Sequence, residues 1–200
     1  MDKKIIWVGF TSLAIIVIAA FITILFSKSA GFRGTAYGEP YPLAPNFRLT
    51  RSSGDSFRLS DQRGKITLLF FGYTYCPDVC PVTLAELNMA LNELSGNKAD
   101  SVQVVFVSVD PDRDTPQITQ EYVARFNSSF IGLSGSLGEL EKIWQDYDIF
   151  REVVKSDSGI LTVSHTARVI LIDKDGNMRL SYPFGTPVED IIYDLNLILK

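Results

Sequence analysis

Histidine occurs once in this 200-residue chain, and cysteine twice. Two cysteines are too few to staple a small secreted fold. Cys76 and Cys80 also lie too close together to close a useful loop, so their placement points to chemistry. No run of lysine or arginine is present and the net charge is −4, which excludes a basic nucleic-acid surface; nucleic acid is not an expected partner. No cysteine lies near the N-terminus to carry a lipid, and no Arg-rich, acidic-poor presequence precedes the first apolar stretch. Internal repeats and low-complexity tracts are missing as well. Charged residues make up 21% and aromatics 12%, a globular balance with enough chain for one sizeable core.

What the chain does have at its start is an uninterrupted apolar run. Ile5 to Phe26 carries no charge, and about 20 residues suffice for a helix to cross the hydrocarbon core. Lys3 and Lys4 precede the run; Lys28 and Arg33 follow it. The expected arrangement is a short cytoplasmic end (1–4), a transmembrane signal anchor (5–26), a tether (27–45) and one domain (46–200). The N-terminus would be cytoplasmic and the domain would stand on the outer face of a bacterial cell membrane, spanned once. A cleaved signal peptide is the alternative, although its apolar region is normally only ~7–15 residues long. The glycines and prolines between Ser27 and Pro45 predict little regular structure.

From there the pattern alternates between strand and helix. Phe47–Thr50 and Ser56–Leu59 read as short strands, and Ile66–Tyr73 and Val102–Val109 as buried central ones. Pro81 is placed to open a helix reaching about Leu94. Thr115-Pro116 opens a second helix to about Phe126, and the capping box Ser136-x-x-Glu139 opens a third to Tyr147. Val169–Ile172 and Met178–Tyr182 form a hairpin across Lys174-Asp175-Gly176-Asn177. Thr186-Pro187-Val188-Glu189 reads as a further capping box with proline at the first helical position. The fold class this implies is α/β: a thioredoxin-like mixed sheet flanked by helices and preceded by one N-terminal transmembrane helix.

The cysteines fall between a buried strand and a helix, in Tyr73-Thr74-Tyr75-Cys76-Pro77-Asp78-Val79-Cys80-Pro81. Unpaired N–H groups at a helix start favour negative charge, so a thiolate forms more easily there. Thiolates serve both disulfide exchange and soft-metal binding. Thioredoxin-type enzymes carry two residues between their cysteines, and the three here leave more room for an ion. A third ligand is then wanted, and His165, ahead of the strand Ala167–Ile172, is the candidate. No proline lies between Pro116 and Pro183 to fill the cis-proline place that faces the cysteines in such folds. Two thiolates and an imidazole suit copper. Zinc would want a fourth ligand, for which Asp78 is available as a minor candidate. The acidic stretch Asp110-Pro111-Asp112-Arg113-Asp114-Thr115-Pro116 reads as a turn and N-cap, with Arg113 pairing neighbouring carboxylates.

Three segments together resemble the Sco/SenC copper proteins: Cys76-Pro77-Asp78-Val79-Cys80-Pro81, Ser108 through Pro116, and His165 ahead of Val169-Ile170-Leu171-Ile172-Asp173. The resemblance covers about residues 40 to 200. It implies a copper metallochaperone rather than an enzyme in the strict sense, with Cys76, Cys80 and His165 as metal ligands. It also implies delivery to the binuclear copper centre (CuA) of cytochrome c oxidase subunit II, with other copper chaperones or thiol–disulfide reductants as further partners. One departure is Ser164, where family members often carry an acidic residue. The competing reading is a membrane-anchored thiol–disulfide reductase that keeps the CuA-site cysteines reduced through a redox-active Cys76–Cys80 pair; it should tolerate loss of His165 better. A thioredoxin-fold peroxidase would ask for threonine at Tyr73.

Overall fold

The computed structural model describes residues 31–155 and 161–200. The expected membrane span at 5–26 lies outside them. Among the described residues no helix is long and apolar enough to cross a membrane.

Among the described residues, ten strands and four α-helices follow in order: β1 (Thr35–Ala36), β2 (Arg48–Thr50), β3 (Ser56–Arg58), β4 (Ile66–Gly72), α1 (Val79–Glu93), β5 (Val102–Ser108), α2 (Pro116–Ala124), β6 (Ile131–Leu133), α3 (Leu137–Asp146), β7 (Arg151–Lys155), β8 (Leu161–His165), β9 (Arg168–Ile172), β10 (Met178–Pro183) and α4 (Val188–Ile198). Six strands make the main sheet in the order β1-β10-β9-β4-β5-β6. β4, β5 and β6 run parallel, whereas β9, β10 and β1 join by antiparallel pairing. This is the mixed thioredoxin-like sheet that the alternation predicts.

The centre forms for a simple reason. Every residue of β4 and β5 is buried, as continuous apolar strands covered on both faces should be. Each large side chain so buried stabilises the fold by about 1.5–3 kcal/mol. Register pairs Ile66 with Val102 and Gly72 with Ser108. Both strands therefore end at one edge of the sheet, where loops and ligands gather in open α/β folds.

Three expectations need correction. The stretch 27–45 is not all tether: Thr35 and Ala36 pair with Ser181 and Leu180, and Leu43 bridges Asn177. The compact unit runs Phe32–Lys200 rather than starting at 46. Helix α1 begins at Val79, so Pro81 is its third residue; a missing N–H costs nothing there, because the first four have no intrahelical partner. Lastly, α4 starts at Val188 with Pro187 ahead of it and no side-chain cap. The Thr186 hydroxyl donates to the Pro183 carbonyl at 2.7 Å, so the second capping box does not form. The Ser136–Glu139 box is present, and Thr115 accepts from the Ile118 N–H at 3.2 Å.

β6 and the ribbon β7–β8 have no counterpart in the sequence expectations. The ribbon stands apart from the main sheet as a two-stranded unit. His165 is its last residue, paired opposite Arg151, rather than part of a loop entering β9.

Candidate metal and thiol site

Gly72 closes β4 and makes the site possible. A Cβ there would stand 2.8 Å from the Cys80 Sγ and 2.7 Å from the Phe106 ring, so only glycine lets the sulfur lie against the sheet. The chain then turns, with the Cys76 N–H donating to the Tyr73 carbonyl at 3.2 Å. Asp114 fastens this turn from behind. Its carboxylate accepts from the Thr74 N–H at 3.1 Å, the Thr74 hydroxyl at 2.6 Å and the Ser108 hydroxyl at 2.7 Å. Ser134 donates to its backbone carbonyl. Burial pushes the Asp114 carboxyl above its usual range, against the pull of those donors.

Both cysteines are free thiols, Cys76 half-buried and Cys80 buried. They meet across the first turn of α1, where the Cys80 N–H donates to the Cys76 Sγ at 3.4 Å. The Cys76 thiol is lowered to about 5, first by the Cys80 thiol donating to it, then by the backbone N–H groups of Cys80 and Asp78 and by His165; partial burial works against this. Cys80 is pushed strongly up, because it gives that hydrogen bond, is buried and lies beside the Cys76 charge. At neutral pH the pair therefore holds one thiolate, on Cys76, and one proton, on Cys80.

His165 reaches the pair from the ribbon. Its Nε2 is 4.0 Å from the Cys80 Sγ, and its ring stands edge-on to Tyr73 with centroids 5.9 Å apart. Nδ1 lies 3.1 Å from the Thr166 carbonyl. A carbonyl can only accept, so Nδ1 carries the proton and the Nε2 lone pair faces the sulfur. Burial keeps the imidazole below its usual pKa, hence neutral and able to ligate at neutral pH. An open cleft of about 340 Å³ joins Cys76, Asp78, Tyr73 and His165. Asp78 is exposed and precedes α1 without capping it.

Metal bonds of about 2.3 Å to sulfur and about 2.0 Å to imidazole nitrogen together reach about 4.3 Å. The observed Cys80–His165 separation of 4.0 Å can thus be spanned through one ion, and the soft donor set fits copper. Among the described residues no three His, Cys, Asp or Glu side chains are gathered into a ready-made metal shell. The predicted residues converge, but the shell is open.

Sequence reasoning missed Gly72, the Asp114 clamp and the ribbon. A glycine ending an apolar strand directly before the cysteine turn was the available signal for the first. For the ribbon there was little to see, since β7 is almost wholly exposed and shows no buried alternation. Opposite Ser164 on the ribbon stands Glu152, an acidic neighbour from the other strand.

A thioredoxin-like sheet, a cysteine pair at a strand-to-helix junction and a facing histidine define a thiol or metal-handling protein of that fold. The family model described as SCO1/SenC matches residues 35–200, and the chain belongs to that family. It is 32% identical over 158 residues to an SCO2-like protein of Rickettsia prowazekii (strain Madrid E), covering 78% of this chain and 77% of the relative. The solution structure of apo Sco1 from Thermus thermophilus matches with a TM-score of 0.75 and 36% identity, over 86% of this chain and 99% of that one. ScoI of Bradyrhizobium japonicum, in a structure with copper bound, matches with a TM-score of 0.70 and 36% identity, over 78% and 99%.

Proposed function

We propose that this chain is a copper metallochaperone. It binds one copper ion through the thiolates of Cys76 and Cys80 and the Nε2 of His165, and delivers it to the CuA site of cytochrome c oxidase subunit II. A membrane anchor at 5–26 holds the domain on the outer face of a bacterial cell membrane. The observation that carries the reading is the convergence of His165 Nε2 on Cys80 Sγ at 4.0 Å, with Nδ1 occupied by Thr166. Copper as cargo is supported by family membership and by relatives solved with copper bound, and oxidase assembly by the Sco family being described as cytochrome c oxidase assembly proteins. An open shell suits a carrier, because ligands of the recipient can enter before those of the donor leave. Binding through both sulfurs displaces the Cys80 proton, so loading releases acid near neutral pH.

A second reading has its own support. Cys76 as a stabilised thiolate beside the protonated Cys80 is the arrangement of an attacking and a resolving thiol, which fits a reductase of the CuA-site cysteines.

The test is copper stoichiometry and the ultraviolet–visible spectrum of the full chain beside His165→Ala. One copper per chain with a sulfur-to-copper band, lost in the variant, is the expected result. Equal binding in both proteins would remove the three-ligand site and leave the reductase as the better account.

A further inference from the structure

We infer that Arg113 is a positioning residue, whose guanidinium ties the acidic loop after β5 to the ribbon carrying His165 and thereby sets the imidazole's distance from the cysteine pair. The inference rests on the copper reading above and names what holds that site together.

Arg113 does more than pair a neighbouring carboxylate. Its Nε donates to the Asp110 carboxylate at 2.5 Å, and that carboxylate is almost fully buried. Nη1 donates to the Leu161 carbonyl at 3.0 Å, the first residue of β8. The guanidinium also lies 5.0 Å from the Tyr75 ring and 5.8 Å from the Tyr73 ring. Tyr73 is the ring against which His165 packs, so one side chain touches the loop, the cysteine turn and the ribbon.

The lever geometry matters. Leu161 and His165 are the two ends of β8, separated by about 13 Å at a strand rise of about 3.3 Å per residue. The His165 end is rooted separately: the Phe150 N–H donates to the Thr166 hydroxyl at 3.0 Å, and the Thr166 N–H to the Phe150 carbonyl at 3.1 Å. A ribbon rooted at one end can turn about that root, which swings the His165 ring toward or away from the sulfurs even where its backbone hardly shifts, and a two-stranded ribbon is marginal by itself. Arg113 pins the other end. A planar fork with five donors can hold a carboxylate and a carbonyl at once, which a lysine ammonium on a flexible stem does poorly. Arg113→Ala would also leave the buried Asp110 carboxylate unpaired, so that variant should lose stability as well as position, whereas Arg113→Lys keeps the charge and isolates the effect on position.

His165 is the one histidine of the chain, which makes its ring signals unambiguous. The experiment compares the full chain in detergent micelles with Arg113→Ala and Arg113→Lys. It reads the nuclear Overhauser contact between the His165 and Tyr73 rings, the alkylation rate of Cys76, and copper affinity by competition with a copper(I) chelator. Both variants should lose most of the ring contact and about tenfold in copper affinity with little change in Cys76 alkylation, while the melting temperature falls in Arg113→Ala and much less in Arg113→Lys. Arg113→Lys stands in if the alanine variant fails to fold. An undiminished ring contact in the folded variants overturns the inference, as does copper affinity within twofold of the parent. If the parent itself binds no copper, the proposed function falls, and the ring contact still decides whether Arg113 positions His165.

Discussion

Cys80 is fully buried beneath Gly72 and Phe106, whereas His165 hangs from a ribbon whose β7 strand is exposed from Glu152 to Lys155. The two halves of one site are thus made by different physics. The sulfur half is cut from the core: β4 and β5 bury every residue, and Asp114 fixes the turn with three donors. The imidazole half is held by a few named contacts, chiefly Arg113 to Leu161, Arg151 to the Val109 carbonyl at 2.9 Å, and the Phe150–Thr166 pair. Opening free energy follows buried apolar contact, so the ribbon should open at lower cost than the sheet. For a carrier this division is useful. In the proposed copper-loaded state the two sulfurs would stay fixed while the imidazole left first.

The largest effect expected from breaking this comparison is on the sulfur side. Cys80→Ser removes one of the proposed soft ligands and should abolish tight copper binding, measured by equilibrium dialysis against a copper(I) chelator. Cys80 is buried, so the hydroxyl also costs about 1–3 kcal/mol of stability. Retained tight binding would mean that the metal, if held, lies elsewhere. Next comes Asp114→Ala, which strands the Thr74 and Ser108 donors. Each unpaired buried group costs about 1–3 kcal/mol, so urea unfolding should lose about 3 kcal/mol, and Asp114→Asn, keeping one acceptor, should lose less. Equal, near-zero losses would show that the turn is not fastened from below.

Much of the sulfur half was legible in the sequence because its causes are local. An apolar run too uniform for alternation marks β4, and Cys76-Pro77-Asp78-Val79-Cys80 marks the strand-to-helix turn. Ser136 and Glu139 give the start of α3 through a bonding pattern that needs only four residues. The ribbon was illegible for the opposite reason. Arg151 to Lys155 and Leu161 to His165 earn strand geometry from each other and from Arg113 and Val109, and no local period announces such contacts. The same holds for β1, which exists only through its pairing to β10. Asp114 looked like a turn residue beside an N-cap because two of its three donors belong to Thr74, far away in the sequence, although the third, Ser108, lies close by. Copper-ligand candidates were readable from inventory, since one histidine leaves no rival.

A smaller effect tests the charge on the pair. The Cys76 thiol is lowered to about 5, well below the ~8.5 of a free cysteine. Sign follows directly: above that value Cys76 is a thiolate, and protonation sets in as pH falls through it. Iodoacetamide alkylation of Cys76 should be flat from about pH 8 to about pH 6 and fall about tenfold by about pH 4. Cys80, pushed upward, should resist alkylation throughout. A midpoint near the free-cysteine value would remove the poised thiolate and weaken the reductase reading most.

The smallest effect concerns the root of the ribbon. Thr166→Val keeps the shape of the side chain and the carbonyl that accepts from His165 Nδ1, but removes the hydroxyl that accepts the Phe150 N–H at 3.0 Å. One lost hydrogen bond is worth about 1 kcal/mol, or about a fivefold change in a local opening equilibrium. Amide exchange at Phe150 should quicken by about that factor, while exchange in β4 and β5 stays unchanged, because those strands share no partner with Thr166. Copper affinity should weaken by less than in Arg113→Ala, since the Thr166 N–H still donates to the Phe150 carbonyl and the Arg113 and Arg151 ties remain. If exchange in β4 and β5 quickened equally, the ribbon would open only with the whole sheet, and the two halves of the site would be one cooperative body after all.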